Sequence, residues 1–250
     1  MTSTLKFFTL IIGTEILNRR RTDAHFDFVS KALKDKGHKL TGSFVIEDDP
    51  ALIIQTIKFI ASQKNVILFS FGGIGSTPDD YTRLCVAKAL GDGKLHTHME
   101  AKKIIEDKLG ESAYPHAIVM AELPKNADLL YNPINQMPAF SLDNSYYFMP
   151  GFPEMSHPMV REILEKLIPH KKETYRHTLT AQCKESIFIE VMKQMPKGVE
   201  CSSLPKITEN GWSVSISVAS DDAKQCKDVF ALYLKVLDTH NIPYSLEDKA

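Results

Sequence analysis

Asn65-Val66-Ile67-Leu68-Phe69-Ser70-Phe71-Gly72-Gly73-Ile74-Gly75-Ser76-Thr77-Pro78-Asp79-Asp80-Tyr81-Thr82-Arg83-Leu84 is the stretch from which the rest of the chain can be read. Val66 to Phe69 is continuously apolar, as a strand buried on both faces of a parallel sheet must be. It runs into a loop of small residues, Ser70 to Thr77, and then into Pro78-Asp79-Asp80. Those residues are expected to open an amphipathic helix with Leu84, Ala87 and Leu90 on one face. Strand, glycine loop and helix start together make an anion site, because glycine lets the backbone approach a ligand and the first helical amides lack internal acceptors. The carboxylates of Asp79 and Asp80 would repel a phosphate unless a divalent cation bridged them to its oxygens. A local account also exists: Thr77-x-x-Asp80 reads as an acidic capping box, with Pro78 in the first turn and Asp79 favouring the helix dipole. Capping does not account for three glycines in the four positions from Gly72 to Gly75. The loop has neither Walker spacing nor the dinucleotide G-x-G-x-x-G.

Two earlier segments behave in the same way. Phe7 to Ile12 reads as a buried strand ending at Gly13, followed by Thr14-Glu15-Ile16-Leu17 and then Asn18-Arg19-Arg20-Arg21. The three arginines are either a solvated face or forked donors for a pyrophosphate. Asp23 is placed to cap a helix with Phe26, Val29, Ala32 and Leu33 on its apolar side and Lys36-Gly37 at its end. His38 to Ile46 reads as a second strand, and Asp49-Pro50 begins a helix through Ile53, Ile54, Ile57 and Ile60, with Asp49 as N-cap. That leaves Asp48 without a local task. Strand, turn and helix in alternation build a parallel sheet, and ligands sit beyond the carboxyl ends of its strands. Glu15, Asp48, Asp79 and Asp80 all fall there.

A helix is expected over Met99–Leu109, and His96-x-His98 before it reads as solvated rather than as a metal pair. Short strands are expected at Ala117–Met120, Leu129–Tyr131, Ala139–Leu142 and Tyr146–Met149. Pro150-Gly151-Phe152-Pro153 is a rigid turn that delivers the chain into a helix ending near Leu167. Pro169 to Glu173 marks a boundary, giving domains 1–169 and 170–250. Beyond it lie strands at Tyr175–Leu179 and Val199–Leu204, a helix over Glu185–Met195, and a turn at Asn210-Gly211. Trp212, Val214, Ile216 and Val218 alternate with serines, and Asp222-x-x-Gln225 starts a last helix.

Composition narrows the function. A net charge of -1 steers the chain toward neither nucleic acid nor an anionic membrane, and the tail balances eleven Lys/Arg against eleven Asp/Glu. Four scattered cysteines without C-x-x-C suggest reduced thiols in a cytoplasmic protein. Neither a signal peptide nor an apolar run long enough to span a bilayer is seen.

Taken in order, these motifs resemble the MoaB/MogA molybdopterin-binding family, most closely its competence/damage-inducible CinA branch. The resemblance is carried by Gly13-Thr14-Glu15-Ile16-Leu17, Ile46-Glu47-Asp48-Asp49, Gly72 to Thr82, Asn132-Pro133 to Met137-Pro138, and Pro150-Gly151-Phe152-Pro153-Glu154-Met155. It implies a three-layer α/β/α domain with a mostly parallel sheet, followed by a small α+β, KH-like domain and lacking the amidase domain of long CinA members. It further implies a phosphorylated pterin or nucleotide as ligand, molybdopterin among them, and a homo-oligomer. Asp48, Asp79 and Asp80 would be catalytic, with Asp48 and Asp80 holding a divalent metal such as Mg²⁺. Gly13, Glu15, Gly72, Gly73, Gly75, Ser76, Thr77, Arg19, Arg20, Asn132, Pro150 and Gly151 would bind the ligand. Thr14 stands where the family carries an aspartate, Ser76 where it carries a proline, and His25 where an asparagine is common. The expected reaction is metal-dependent hydrolysis of a nucleotide pyrophosphate of the ADP-ribose type. The alternative is a binding protein of molybdenum cofactor metabolism without chemistry, and a nucleic-acid or protein adaptor is disfavoured by the balanced tail.

Overall fold

The computed structural model describes residues 5–209 and 211–247, and the chain parts after His170 into two compact units. The first unit is built in the order β1 (Lys6–Ile12), α1 (Thr14–Leu17), α2 (His25–Asp35), β2 (Leu40–Ile46), α3 (Pro50–Ala61), β3 (Val66–Phe71), α4 (Thr82–Leu90), β4 (Leu95–Thr97), α5 (Met99–Leu109), β5 (Glu122–Pro124), β6 (Asp128–Leu130), β7 (Ala139–Leu142), β8 (Tyr146–Met149) and α6 (Pro153–Leu167). Its main sheet has the order β2-β1-β3-β8-β7-β6, parallel from β2 to β8 and antiparallel across β7. β1 and β3 are buried almost from end to end because helices cover both faces, α2 with α6 on one and α3 with α4 on the other. The chain steps from β1 outward to β2 and returns past β1 to β3. The carboxyl ends of β1 and β3 therefore flank a point where the connections diverge, and a crevice opens there.

Local signals act as the residues require. The Asp49 side chain accepts the Leu52 N–H at 2.7 Å, and Pro50 occupies the first turn of α3. Asp23 accepts from the amides of His25 and Phe26, and Gly37 leaves α2 at φ 75°. Phe26, however, is exposed, and α2 is anchored instead by His25, Val29 and Leu33. Ala117–Ala121 is a 3₁₀ turn against α5, not a strand; the adjoining strand is β5, paired with β4.

The second unit comprises β9 (Tyr175–Ala181), a 3₁₀ turn Glu185–Phe188 running into α7 (Ile189–Met192), β10 (Val199–Thr208), β11 (Gly211–Ser220), α8 (Ala223–Thr239) and β12 (Tyr244–Glu247). An antiparallel sheet of order β10-β11-β9-β12 packs Leu179, Val214, Ile216 and Val218 against Val229, Phe230, Tyr233 and Leu237 of α8. Asp222 caps α8 through the Gln225 amide at 2.9 Å. The single helix expected over Glu185–Met195 is broken into 3₁₀ and α turns, as its β-branched Ile187, Ile189 and Val191 favour. Asn210, half of the expected turn, lies outside the described residues. Among the described residues no helix is long and apolar enough to cross a membrane.

One contact between α2 and α6 ties stability to pH. The His25 ring stacks on Phe71 at 4.1 Å, meets His157 edge-on at 5.3 Å, and shares a 3.3 Å hydrogen bond with the Gly151 carbonyl. Burial is the main cause that lowers its pKa from 6.5 to about 4; the Gly151 contact and Asp23 oppose the shift, while His157 and Arg21 add to it. Between those two values the unfolded chain takes up a proton that the folded chain refuses. The stabilisation is thus complete above pH 6.5 and is lost as pH falls toward 4, by up to about 3 kcal/mol. His25→Phe keeps the stack and removes the proton, so urea melts at pH 7.5 and 4.5 should show the variant losing roughly 2 kcal/mol less than wild type on acidification. Equal losses would mean that another group sets the acid limb.

Candidate ligand-binding site

The carboxyl rim of the parallel strands gathers four loops, those after β1, β2, β3 and β8. Backbone contacts lock them together. The Gly13 amide donates to Ile46 O at 3.0 Å, and the Gly72 amide to Met149 O at 3.0 Å. Gly72 has φ 99°, and a Cβ there would lie 2.3 Å from Ile12 O. A Cβ on Gly151 would sit 3.4 Å from Gly72 Cα. Gly72 demands glycine, because the ends of β1 and β3 converge there too closely for a side chain, while a Cβ on Gly151 would only touch the Gly72 backbone.

The glycine loop then turns its carbonyls toward α4. Thr82 donates its hydroxyl to Gly72 O at 2.9 Å and its amide to Gly73 O at 2.9 Å, and Arg83 Nη1 donates to Ile74 O at 3.3 Å. In a trans peptide the next N–H points opposite to the carbonyl. The amides of Gly73, Ile74 and Gly75 are therefore directed away from α4, and neither they nor the Ser76 amide has an acceptor among the described residues. Successive free amides of this kind form a concavity for an anion.

The acidic turn differs from the expectation. Thr77-Pro78-Asp79-Asp80 is a β-turn closed by the Asp80 amide on Thr77 O at 3.0 Å, and α4 begins only at Thr82. Asp80 Oδ2 reaches back to accept the Thr77 amide at 2.8 Å and its hydroxyl at 2.5 Å. Such side-chain bonds compete with helix formation, which moves the helix start by four residues from Pro78 to Thr82. The buried face changes with it: Thr82, Arg83, Cys85, Val86 and Ala87 point inward and Leu84 is exposed. The Thr77 hydroxyl, together with the Asp79 amide, also holds the Asp79 carboxyl below the usual carboxylate value.

Asp48 repeats the arrangement across two strands. Its Oδ2 accepts the Thr14 amide and hydroxyl, both at 2.8 Å, and its own amide donates to Thr14 Oγ1 at 3.2 Å. Asp48 thus has a task after all, joining the loops after β1 and β2. β1 lies between the strands that lead to Asp48 and to the glycine loop, so those strand ends are about 10 Å apart. Among the described residues no three His, Cys, Asp or Glu side chains are grouped to hold a metal ion. His98 serves as the N-cap of α5, accepting the Ala101 amide, and His96 pairs with Asp92 at 2.9 Å.

Of the remaining expected ligands, Glu15 folds its carboxylate over Gly13 and pairs with Arg21 at 3.9 Å. Arg19 and Arg20 stand exposed on the turn beyond α1, and the cation that turns inward is Arg21, 5.4 Å from the centre of the Phe152 ring. Glu15, Arg21, His25, Phe71 and Gly151 line a cavity of about 20 Å³, enough for a water molecule. Asn132 is buried and spends its side chain inside its own loop, donating to Asn135 Oδ1 and accepting from the Ile134 amide. Pro150 and Gly151 form the β8 side of the rim. Arg83 is the rim residue to which the motifs assign no task; Arg21 is one of the three candidate arginines, Thr82 closes the glycine motif, and His25 stands only as a departure from the family pattern. Arg83, Val86, Ala87 and Leu90 do follow helical spacing once the helix is started at Thr82.

Residues 8–170 match the family described as "Probable molybdopterin binding domain". The chain is 25% identical over 185 residues to a CinA-like protein of Sulfurihydrogenibium sp., a match covering 68% of this chain and 44% of that one. It is 26% identical over 206 residues to a protein of Archaeoglobus fulgidus, covering 81% and 86%. The crystal structure of CinA, a protein of unknown function from Thermoplasma acidophilum, superposes with a TM-score of 0.57 at 25% identity, covering 65% of this chain and 98% of that one. The chain spans less than half the length of the CinA-like relatives it matches. With the glycine loop, the parallel sheet and the rim in place, the chain belongs to the MoaB/MogA family of molybdopterin-binding domains, in its CinA-like branch.

Proposed function

We propose that the first unit binds a phosphorylated small molecule, a pterin such as molybdopterin or a nucleotide, with a phosphate on the amides of Gly73 to Ser76. One observation carries this reading: three successive carbonyls are held by Thr82 and Arg83 while the amides that follow them have no acceptor among the described residues. The arrangement is preorganised, so binding needs little reordering of the loop. Arg19 and Arg20 are free to reach a second phosphate from the exposed turn. The proposal includes a cytosolic setting and a homo-oligomer, with neither membrane nor nucleic acid as partner.

The chemistry we propose at this site is hydrolysis of a nucleotide pyrophosphate, in which water adds across the P–O–P bond of ADP-ribose to give AMP and ribose 5-phosphate. Asp80 and Asp79 stand beside the loop, and Asp80 Oδ1 is not used in the turn. This donor set suits Mg²⁺, which keeps most of its waters and is held by one or two carboxylates plus substrate phosphate. Such an ion supplies charge neutralisation at the phosphoryl group. Asp48 is a third carboxylate on the same rim, at the end of β2. The reading without turnover has its own support, since Asp48 and Asp80 each commit an oxygen to a threonine.

Two measurements test these statements. Gly73 has φ 68°, and a Cβ there would lie 2.3 Å from Thr82 Oγ1. Gly73→Ala should therefore displace the loop, abolish calorimetric binding of ADP-ribose, and lower stability by about 1–3 kcal/mol. Unchanged binding would remove the loop from the site. For turnover, wild type with Mg²⁺ should release AMP at least ~100-fold faster than Asp80→Asn. Equal rates, with binding intact in both proteins, would leave a binder without hydrolase activity.

A further inference from the structure

We propose that Arg83 is a positioning residue whose buried positive charge, applied through the Ile74–Gly75 peptide, makes the glycine loop selective for multiply charged phosphate groups. The inference rests on the loop reading above and concerns a residue that does not touch the ligand.

Arg83 is 7% exposed, an unusual state for a guanidinium. Its Nη1 makes the 3.3 Å bond to Ile74 O, while its buried Nε has no hydrogen-bond partner among the described residues. Among the described residues no carboxylate comes within ion-pair contact of it. The acidic groups that face it, Asp80 from the loop and Glu122 from β5, act only at a distance. Asp80 is engaged by Thr77, and Glu122 accepts the Thr97 hydroxyl at 2.6 Å. A buried cation in this condition is costly to keep, and burial accordingly lowers its pKa. A structural staple alone would not need a full charge: a neutral amide such as Gln could also donate to a carbonyl.

The geometry shows where the charge acts. The guanidinium donates to the carbonyl of the Ile74–Gly75 peptide, whose N–H points out of the opposite side toward the proposed anion. A donor on the carbonyl polarises the peptide and strengthens its N–H as a donor. Adding the 3.3 Å contact, the width of the peptide and one further hydrogen bond puts an anion on Gly75 about 8 Å from the charge. At that separation, in a partly buried site, an elementary charge still discriminates between ligand charges. It also offsets the repulsion from Asp79 and Asp80, which the loop would otherwise present to a phosphate. A bound polyanion is then the partner that the buried charge lacks in the free protein.

The test uses the full chain and inorganic pyrophosphate, with Arg83→Met, Arg83→Lys and Arg83→Gln. Arg83→Met should weaken calorimetric binding about tenfold or more, while the melting temperature of the free protein holds or rises, because an unpaired buried charge has been removed. Arg83→Lys should stay within about threefold of wild type, since the charge is kept. Should the Met variant both melt lower and bind more weakly, Arg83→Gln decides, because a neutral amide keeps a donor for the Ile74 carbonyl and removes the charge. Binding by Gln as weak as by Met upholds the charge, and recovery of binding by Gln shows a staple and overturns the inference. Pyrophosphate binding to Arg83→Met as tight as to wild type also overturns it, leaving the loop reading standing. If wild type itself does not bind pyrophosphate, the loop reading and this one fall together.

Discussion

The rim depends on how closely two backbones approach each other at Gly72. Its Cα stands where any Cβ would lie 2.3 Å from the Ile12 carbonyl oxygen, and Gly151 packs against it from the β8 side. β1 and β3 can end together only because Gly72 carries no side chain. With φ at 99° and 68°, Gly72 and Gly73 then turn the chain in a direction that L-residues resist. The carbonyls of 72 to 74 fall within reach of Thr82 and Arg83, and peptide planarity sends the following amides the other way. A steric constraint at the sheet's switch point thus becomes a chemical property of the loop beyond it.

Thr14 illustrates how a departure from a family pattern can be absorbed locally. The motif that this segment resembles has an aspartate here, and an aspartate would face the Asp48 carboxylate at short range. The threonine hydroxyl donates to Asp48 Oδ2 at 2.8 Å and accepts the Asp48 amide, so repulsion is replaced by a reciprocal pair. Thr77 likewise donates its amide and hydroxyl to Asp80 Oδ2 within one turn, but there the Asp80 amide bonds the Thr77 carbonyl and not its hydroxyl. Each pair pins one carboxylate oxygen and leaves the other unengaged by that threonine. This favours a site in which the ligand's own phosphate supplies much of the coordination for any cation, over one in which the protein forms a cage.

Much of the architecture was legible because it is written in short-range patterns. The apolar runs at 7–12 and 66–69, the Asp49-Pro50 cap and the alternation from Trp212 to Val218 each declare an element through its own residues, and the structure holds them as strands and a helix. The errors fall where local signals compete. Thr77-Pro78-Asp79-Asp80 satisfies the rule for a helix start and also that for a side-chain-closed turn, and the turn prevails because Asp80 turns back to Thr77. Ala117 to Met120 has strand-like composition but packs as a 3₁₀ turn on α5. β12 gave no signal, since an exposed edge strand has no buried face to set a period.

By itself, the sequence determined the alternating α/β class, the glycine loop and the run of motifs that carries the family, because each is encoded in neighbouring residues. Only the tertiary structure decided what the acidic and basic side chains do. Whether Asp48 faces a metal or Thr14, whether Arg19 or Arg21 turns inward, and whether Arg83 is solvated or sealed behind the loop all depend on which strand ends lie side by side. Strand order is a long-range property: β1 lies between β2 and β3, and no pattern of period two or 3.6 along the chain records it.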